Sequence, residues 1–178
     1  MLMNLKPQDI LVVLKLIAMG DRSWSYVQLA NELSMSASEI NAGVKRCLSA
    51  NLLLPDYIDG KSPKPAMKAV EEFLIHGLKY AFVPERGELT RGVPTGYAAE
   101  PLKSNIVASN EPPPVWPYAE GQVRGYSFSP LYRSAPQAAL ADQRLYELLA
   151  LVDAIRGGKA RERELAIAAL QKRLGGEW

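Results

Sequence analysis

Nine of the 13 prolines, Pro84, Pro94, Pro101, Pro112, Pro113, Pro114, Pro117, Pro130 and Pro136, fall between residues 84 and 136. Proline lacks the amide donor, and inside a helix it costs about 3 kcal/mol or more, so no long helix crosses this stretch. Gly87, Gly92, Gly96, Gly121 and Gly125 lie in the same block and reinforce the break. On either side the sequence reads as helix. The spacing therefore predicts a helical N-terminal domain over 1–83, an extended Pro/Gly-rich arm over 84–136, and a C-terminal helical segment over 137–178. No internal repeat is visible.

Composition narrows the chemistry. The chain has 178 residues, 48% hydrophobic and 22% charged, with a net charge of +2, which is ordinary globular composition. That balance excludes a strongly basic tail. By segment the net charge is −1 over 1–60, +2 over 61–103 and +1 over 104–178. The single cysteine, Cys47, excludes an intrachain disulfide, and with one histidine, His76, Cys/His zinc spacing is impossible. A Ser-His-Asp or Cys-His centre would rest wholly on His76, which reads as a residue near a helix C-terminus. No catalytic residue, metal or cofactor is expected, and the chain reads as a non-enzyme. The apolar run from Ile10 to Met19 is interrupted by Lys15 and is too short to span a bilayer. A cytoplasmic protein without membrane contact is the expectation.

Local signals place the N-terminal helices. Pro7 suits a first helical turn, Ile10, Leu14 and Ile17 recur at helical spacing, and Gly20-Asp21 ends the run. A second helix starts near Ser25, with Tyr26, Leu29, Ala30 and Leu33 as its apolar stripe. Ser36-Ala37-Ser38-Glu39 is a capping box, followed by Ile40, Val44, Cys47 and Leu48. That third helix closes near Ala50-Asn51, and Leu52-Leu53-Leu54 continues as a short strand.

Only Ser34 and Met35 join the second helix to the third, which fits the tight corner of a helix-turn-helix. Ala30 is small where the helices approach, and Ile40, ten residues on, anchors the second of them. With Ile40, Val44, Cys47 and Leu48 inward, Ser38, Asn41, Ala42, Lys45 and Ser49 turn outward, with Arg46 on the flank. Ser, Asn, Lys and Arg are side chains that reach base edges and phosphates from a major-groove helix.

From Pro7 to Leu54 the chain resembles the winged helix-turn-helix of MarR-like bacterial regulators, the likeness being carried by Leu29 to Leu48, LANELSMSASEINAGVKRCL. The turn residue is Ser34 rather than the usual glycine. Phe73 to Val83 and Arg91 to Tyr97 are similar to bacterial proteins loosely labelled MarR-like. The resemblance implies double-stranded DNA as partner, with Ser38, Asn41, Ala42, Lys45 and Arg46 at the groove. Ser36, Lys61 and Lys64 would lie near phosphates. A wing would turn at Ile58-Asp59-Gly60-Lys61, but Pro63 and Pro65 fall on its return strand, so a shortened or irregular wing is expected. Few cations on the third helix argue for a homodimer, since phosphate contacts supply most non-specific affinity.

The rest of the chain carries weaker signals. Met67 to Ile75 predicts a fourth helix ended by Gly77, and Lys79 to Val83 alternates as a strand. The glycines from Arg86 to Gly96 match neither the P-loop nor the dinucleotide fingerprint. Pro112-Pro113-Pro114 favours polyproline II, while Val115, Trp116, Tyr118, Tyr126, Phe128, Leu131 and Tyr132 are too apolar for a free linker. The arm is thus expected to pack over its own domain or a second subunit. From Pro136, Leu140, Leu145, Leu148, Leu149, Val152 and Ile155 form one apolar stripe ended by Gly157-Gly158, and Arg161 to Leu174 follows as another helix. Such stripes most often form core, but local core is scarce here, so a dimer interface or a partner site is the sharper expectation.

The expected fold is mainly α: an N-terminal winged helix-turn-helix with a short β wing, a long Pro/Gly-rich arm, and C-terminal α-helices. The expected function is sequence-specific DNA binding by a homodimeric transcriptional regulator. The alternative is a protein-interaction module, an adaptor or antitoxin-like partner of an enzyme, using the arm and the C-terminal helices.

Overall fold

The computed structural model describes residues 3–56 and 62–178. Helix α1, Pro7–Met19, begins with Pro7 in its first turn, where the backbone amide of Lys6 donates to Asp9 Oδ2 at 2.8 Å. It ends at Gly20, whose φ of 64° lies in the left-handed region that glycine tolerates. Every residue of α1 from Asp9 to Ala18 is buried, so it is a central helix.

Helix α2, Tyr26–Leu33, is capped by the Ser25 hydroxyl, which accepts from the Gln28 amide at 3.1 Å. Ser34 follows with φ 52°, and the Met35 amide donates back to the Ala30 carbonyl at 2.9 Å. This left-handed corner turns the chain straight into helix α3, Ala37–Ser49. The capping box of α3 is formed: the Glu39 amide donates to Ser36 Oγ at 3.2 Å, and the Ser36 amide donates to Glu39 Oε2 at 2.8 Å. After Asn51, with φ 59°, strand β1, Leu53–Leu54, pairs antiparallel with β2, Lys64–Pro65, in the register Leu53↔Pro65. The expected turn at 58–61 lies outside the described residues.

Two expectations for the next segment are corrected. Helix α4, Met67–Glu72, runs through a π turn, Phe73–Gly77, into α5, Leu78–Ala81. Gly77 therefore does not end the helix, and 79–83 is not a strand. Val70, Leu74, Ile75 and Leu78 are all buried, a helical stripe that carries across the glycine and overrides the short alternation after it. Glycine suits this position inside the helix, because a Cβ there would come 2.8 Å from the Phe73 ring.

The proline block also differs from an extended arm. Strand β3, Arg86–Pro94, pairs antiparallel with β4, Pro114–Pro117, and with β5, Val123–Phe128; β4 and β5 then pair in parallel, closing three strands on themselves. Pro94, Pro114 and Pro117 stand at strand ends, where a missing donor is tolerated. Closure needs very close backbones: a Cβ on Gly92 would meet the Trp116 carbonyl at 2.0 Å, and one on Gly125 the Pro113 carbonyl at 2.0 Å.

The C-terminal stripe is divided. Helix α6, Ala135–Ala141, stops at Asp142, whose extended backbone and side chain cap helix α7, Gln143–Gly157; α8, Ala160–Leu174, follows. Leu140 is 55% exposed and leaves the stripe. Helix α7 is buried from Leu148 to Arg156, so these leucines are covered by the chain itself. That corrects the expectation of an α7 stripe free for a second subunit. One hydrophobic cluster draws on all three segments, including Leu14, Leu33, Val44, Trp116, Leu148 and Leu170. The fold is mainly α with small sheets, and no helix among the described residues is long and apolar enough to cross a membrane.

Buried charges cross-link the elements. Lys15 of α1 is 3% exposed and lies 2.7 Å from both Glu32 of α2 and Asp142 at the α6–α7 junction. Asp153 of α7 accepts from Thr95 Oγ1 and Trp116 Nε1, each at 2.7 Å, and from Arg156 Nε at 2.9 Å. Arg156 in turn donates to the carbonyls of Phe82 and Ser129.

Candidate nucleic-acid interface

The Ser34 corner fixes α3 so that Ile40, Gly43, Val44 and Cys47 face inward and are buried. The opposite side then carries Ser38 and Lys45, both exposed, with Asn41 and Ala42 half-buried between them. Residues 38, 41, 42 and 45 follow helical spacing and form one strip. With Tyr26 of α2 and Met3 they border a shallow hollow of about 520 Å³. Tyr26 packs edge-on against Trp24 at 5.4 Å between ring centroids.

The other expected site residues have diverse surroundings. Arg46 is held by Asp9: its Nε and Nη2 each donate to the carboxylate at 2.7 Å, and Asp9 is fully buried. That hydrogen-bonded pairing raises the guanidinium pKa further and turns the side chain toward α1. Ser36 is exposed, and its hydroxyl is the α3 cap. Lys64 on β2 is 63% exposed and 4.0 Å from Asp56. Lys61 lies outside the described residues.

Two residues escaped sequence reasoning. Tyr132 and Arg133, between β5 and α6, come to the first turn of α3. The Tyr132 hydroxyl donates to Glu39 Oε1 at 2.6 Å, and Arg133 Nη2 lies 3.9 Å from the same oxygen with its side chain 81% exposed. The Tyr132 bond and the Ser36 amide hold the Glu39 carboxyl down at about 2. The partner effect raises the Tyr132 phenol. No periodicity links positions 39 and 132, which are 93 residues apart; the adjacent Tyr-Arg pair before Pro136 was the sole trace.

A second hollow, about 370 Å³, lies between the sheet and the α7–α8 junction, bordered by Arg86, Tyr97, Val107, Phe128, Lys159 and Glu162. Arg86 donates to the Gly157 carbonyl and sits 5.0 Å above the Phe128 ring. The Glu162 carboxylate accepts from the Lys159 amide at 3.0 Å, capping α8. Asp153 at its floor is the bonded residue described above. His76 is exposed on the π turn. Among the described residues no three His, Cys, Asp or Glu side chains group closely enough to hold a metal ion.

Comparison with protein-family models, with curated proteins and with solved structures finds no match to this chain.

Proposed function

We propose that the segment from α1 through β2 is a winged helix-turn-helix of the MarR-like kind, and that the protein is a cytoplasmic, homodimeric transcriptional regulator that binds double-stranded DNA. The observation that carries this reading is the α3 strip: Ser38, Asn41, Ala42 and Lys45 face outward on a helix whose other side is locked by Ile40, Val44 and Cys47. A rigidly seated helix with a short polar outer face is what a major groove accepts. The β1–β2 pair, with Lys64 exposed beside it, supplies a short wing. Arg46 supports this reading as the residue that seats α3 on α1, rather than as a phosphate contact.

One copy offers little positive charge at the strip, and phosphate neutralisation dominates affinity. Two copies on paired half-sites would double it. Because the α7 leucines are already covered, the dimer contact draws on other surface.

The test is fluorescence anisotropy with the upstream DNA of the gene and a scrambled duplex at two salt concentrations. The reading expects salt-dependent binding that prefers the upstream fragment. Lys45→Ala should weaken it about tenfold and lower the salt slope by about one. No binding to either duplex at low salt sinks the proposal. A protein-interaction module is the second reading, favoured by the cross-strand pair Leu89 and Tyr126, 42% and 47% exposed, and by Val107 at 92%.

A further inference from the structure

We propose that the C-terminal half of the chain supplies part of the duplex-binding surface, with Arg133 contacting a backbone phosphate beside the groove that α3 enters. This rests on the reading of α3 as a DNA-binding helix and adds to it a residue from outside the N-terminal domain.

The geometry begins at Glu39. It is the third residue of α3, one turn from Ala42 and next to Ser38, so its carboxylate stands at the border of the outward strip. A carboxylate there repels phosphate. Its low pKa keeps it charged at any working pH, because the Tyr132 hydroxyl and the Ser36 amide both bond the ionised form. Arg133 is the cation that faces it, at 3.9 Å, the outer limit of an ion pair. Its guanidinium also lies 5.0 Å above the Tyr132 ring. The contact with Glu39 is loose, and four-fifths of the side chain is open to solvent, so its donors remain free for a phosphate oxygen.

The position of Arg133 is also built. Tyr132 anchors the segment to α3 at one end. A few residues earlier, Arg156 of the buried α7 donates to the Ser129 carbonyl at 2.6 Å. The Ala135 amide donates to the Tyr132 carbonyl at 3.0 Å just after it. The backbone that carries Arg133 is therefore tethered on both sides and loses little further freedom on binding, unlike a free loop. Arg133 therefore does two things at once: it offsets the charge of Glu39 and presents an exposed donor fork at the first turn of α3.

This dual role makes a specific prediction for a double-mutant cycle in the full-length protein, read by anisotropy on the preferred duplex. Arg133→Ala should raise Kd about tenfold and lower the salt slope by about one, with an unchanged thermal midpoint. Arg133→Lys should retain most of the affinity. In a Glu39→Gln background the same Arg133→Ala change should cost only a few-fold, since the repelling charge has gone. Wild-type affinity and slope for Arg133→Ala, while Lys45→Ala still weakens binding, overturns this inference and leaves the α3 reading standing. An equal loss in both backgrounds overturns the charge-offset role. A wild-type protein that binds no duplex overturns both proposals together.

Discussion

Asp9 and Arg46 form a two-pronged ion pair, both contacts at 2.7 Å, that joins the start of α1 to the last turn of α3 across 37 positions of sequence. Asp9 is fully buried, and its carboxylate also accepts the Lys6 amide. Removing one partner of such a pair leaves an uncompensated charge in a dry site. Arg46→Ala should therefore lower stability by about 3–5 kcal/mol, measured by urea unfolding. Asp9→Ala together with Arg46→Ala should cost less than the two single losses added. An Arg46→Ala protein of wild-type stability that loses DNA binding would return Arg46 to the phosphate-contacting set.

Gly43 lies inside α3, where glycine normally costs about 1 kcal/mol relative to alanine. A Cβ there would stand 3.0 Å from Asp9 Oδ1 and 3.8 Å from Val12. The carboxylate cannot retreat, because Arg46 pins both of its oxygens. Crowding should outweigh the propensity gain, and Gly43→Ala should destabilise the protein by about 1–3 kcal/mol. A rise in the urea midpoint would mean that α1 and α3 can separate without loss.

Asp153 holds three donors in a buried site: Thr95 and Trp116 from the sheet region and Arg156 from its own helix. Asp153→Ala takes the carboxylate from a buried guanidinium, which keeps only its two carbonyl acceptors, and leaves two neutral donors without their acceptor. The expected loss is about 3–5 kcal/mol, with Asp153→Asn milder because an acceptor oxygen remains. Tryptophan fluorescence during unfolding checks this, since Trp116 loses its partner. Near-wild-type stability for Asp153→Ala would show that the sheet is held by apolar contact alone.

How much of this was readable in sequence follows from the range of each interaction. Ser25, Ser36 and Glu39 act within one turn, and the starts of α2 and α3 fall where those residues place them. Ile40, Val44 and Cys47 face inward as their spacing requires. The proline block misleads because strand closure depends on the Gly92 and Gly125 backbones meeting the Trp116 and Pro113 carbonyls, contacts with no local trace. The break at Asp142 was hidden inside an unbroken leucine stripe; it exists because Asp142 serves both as the α7 cap and as a partner of Lys15. At the α3 face, Ser38, Asn41, Ala42 and Lys45 follow from helical spacing. The commitment of Arg46 to Asp9 and the arrival of Arg133 beside Glu39 are tertiary facts that composition does not encode.

The bonding of Glu39 sets an acid response. Its folded-state carboxyl titrates near 2, below the ordinary value of 4.5, chiefly because the Tyr132 hydroxyl bonds the charged form. A lowered folded-state pKa means that the unfolded chain binds the proton more readily. The stabilisation is therefore complete above about pH 4.5 and drains away as pH falls toward 2. With the Glu39 side chain 34% exposed, solvent screening keeps the effect modest. Denaturation midpoints measured from pH 6 down to pH 2.5 should fall more steeply for the wild type than for Glu39→Gln. Tyr132→Phe should lie between them, because it removes the larger of the bonds that favour the carboxylate and keeps the Ser36 amide. Parallel curves for all three proteins would show that the Tyr132–Glu39 bond adds nothing to the seating of α3.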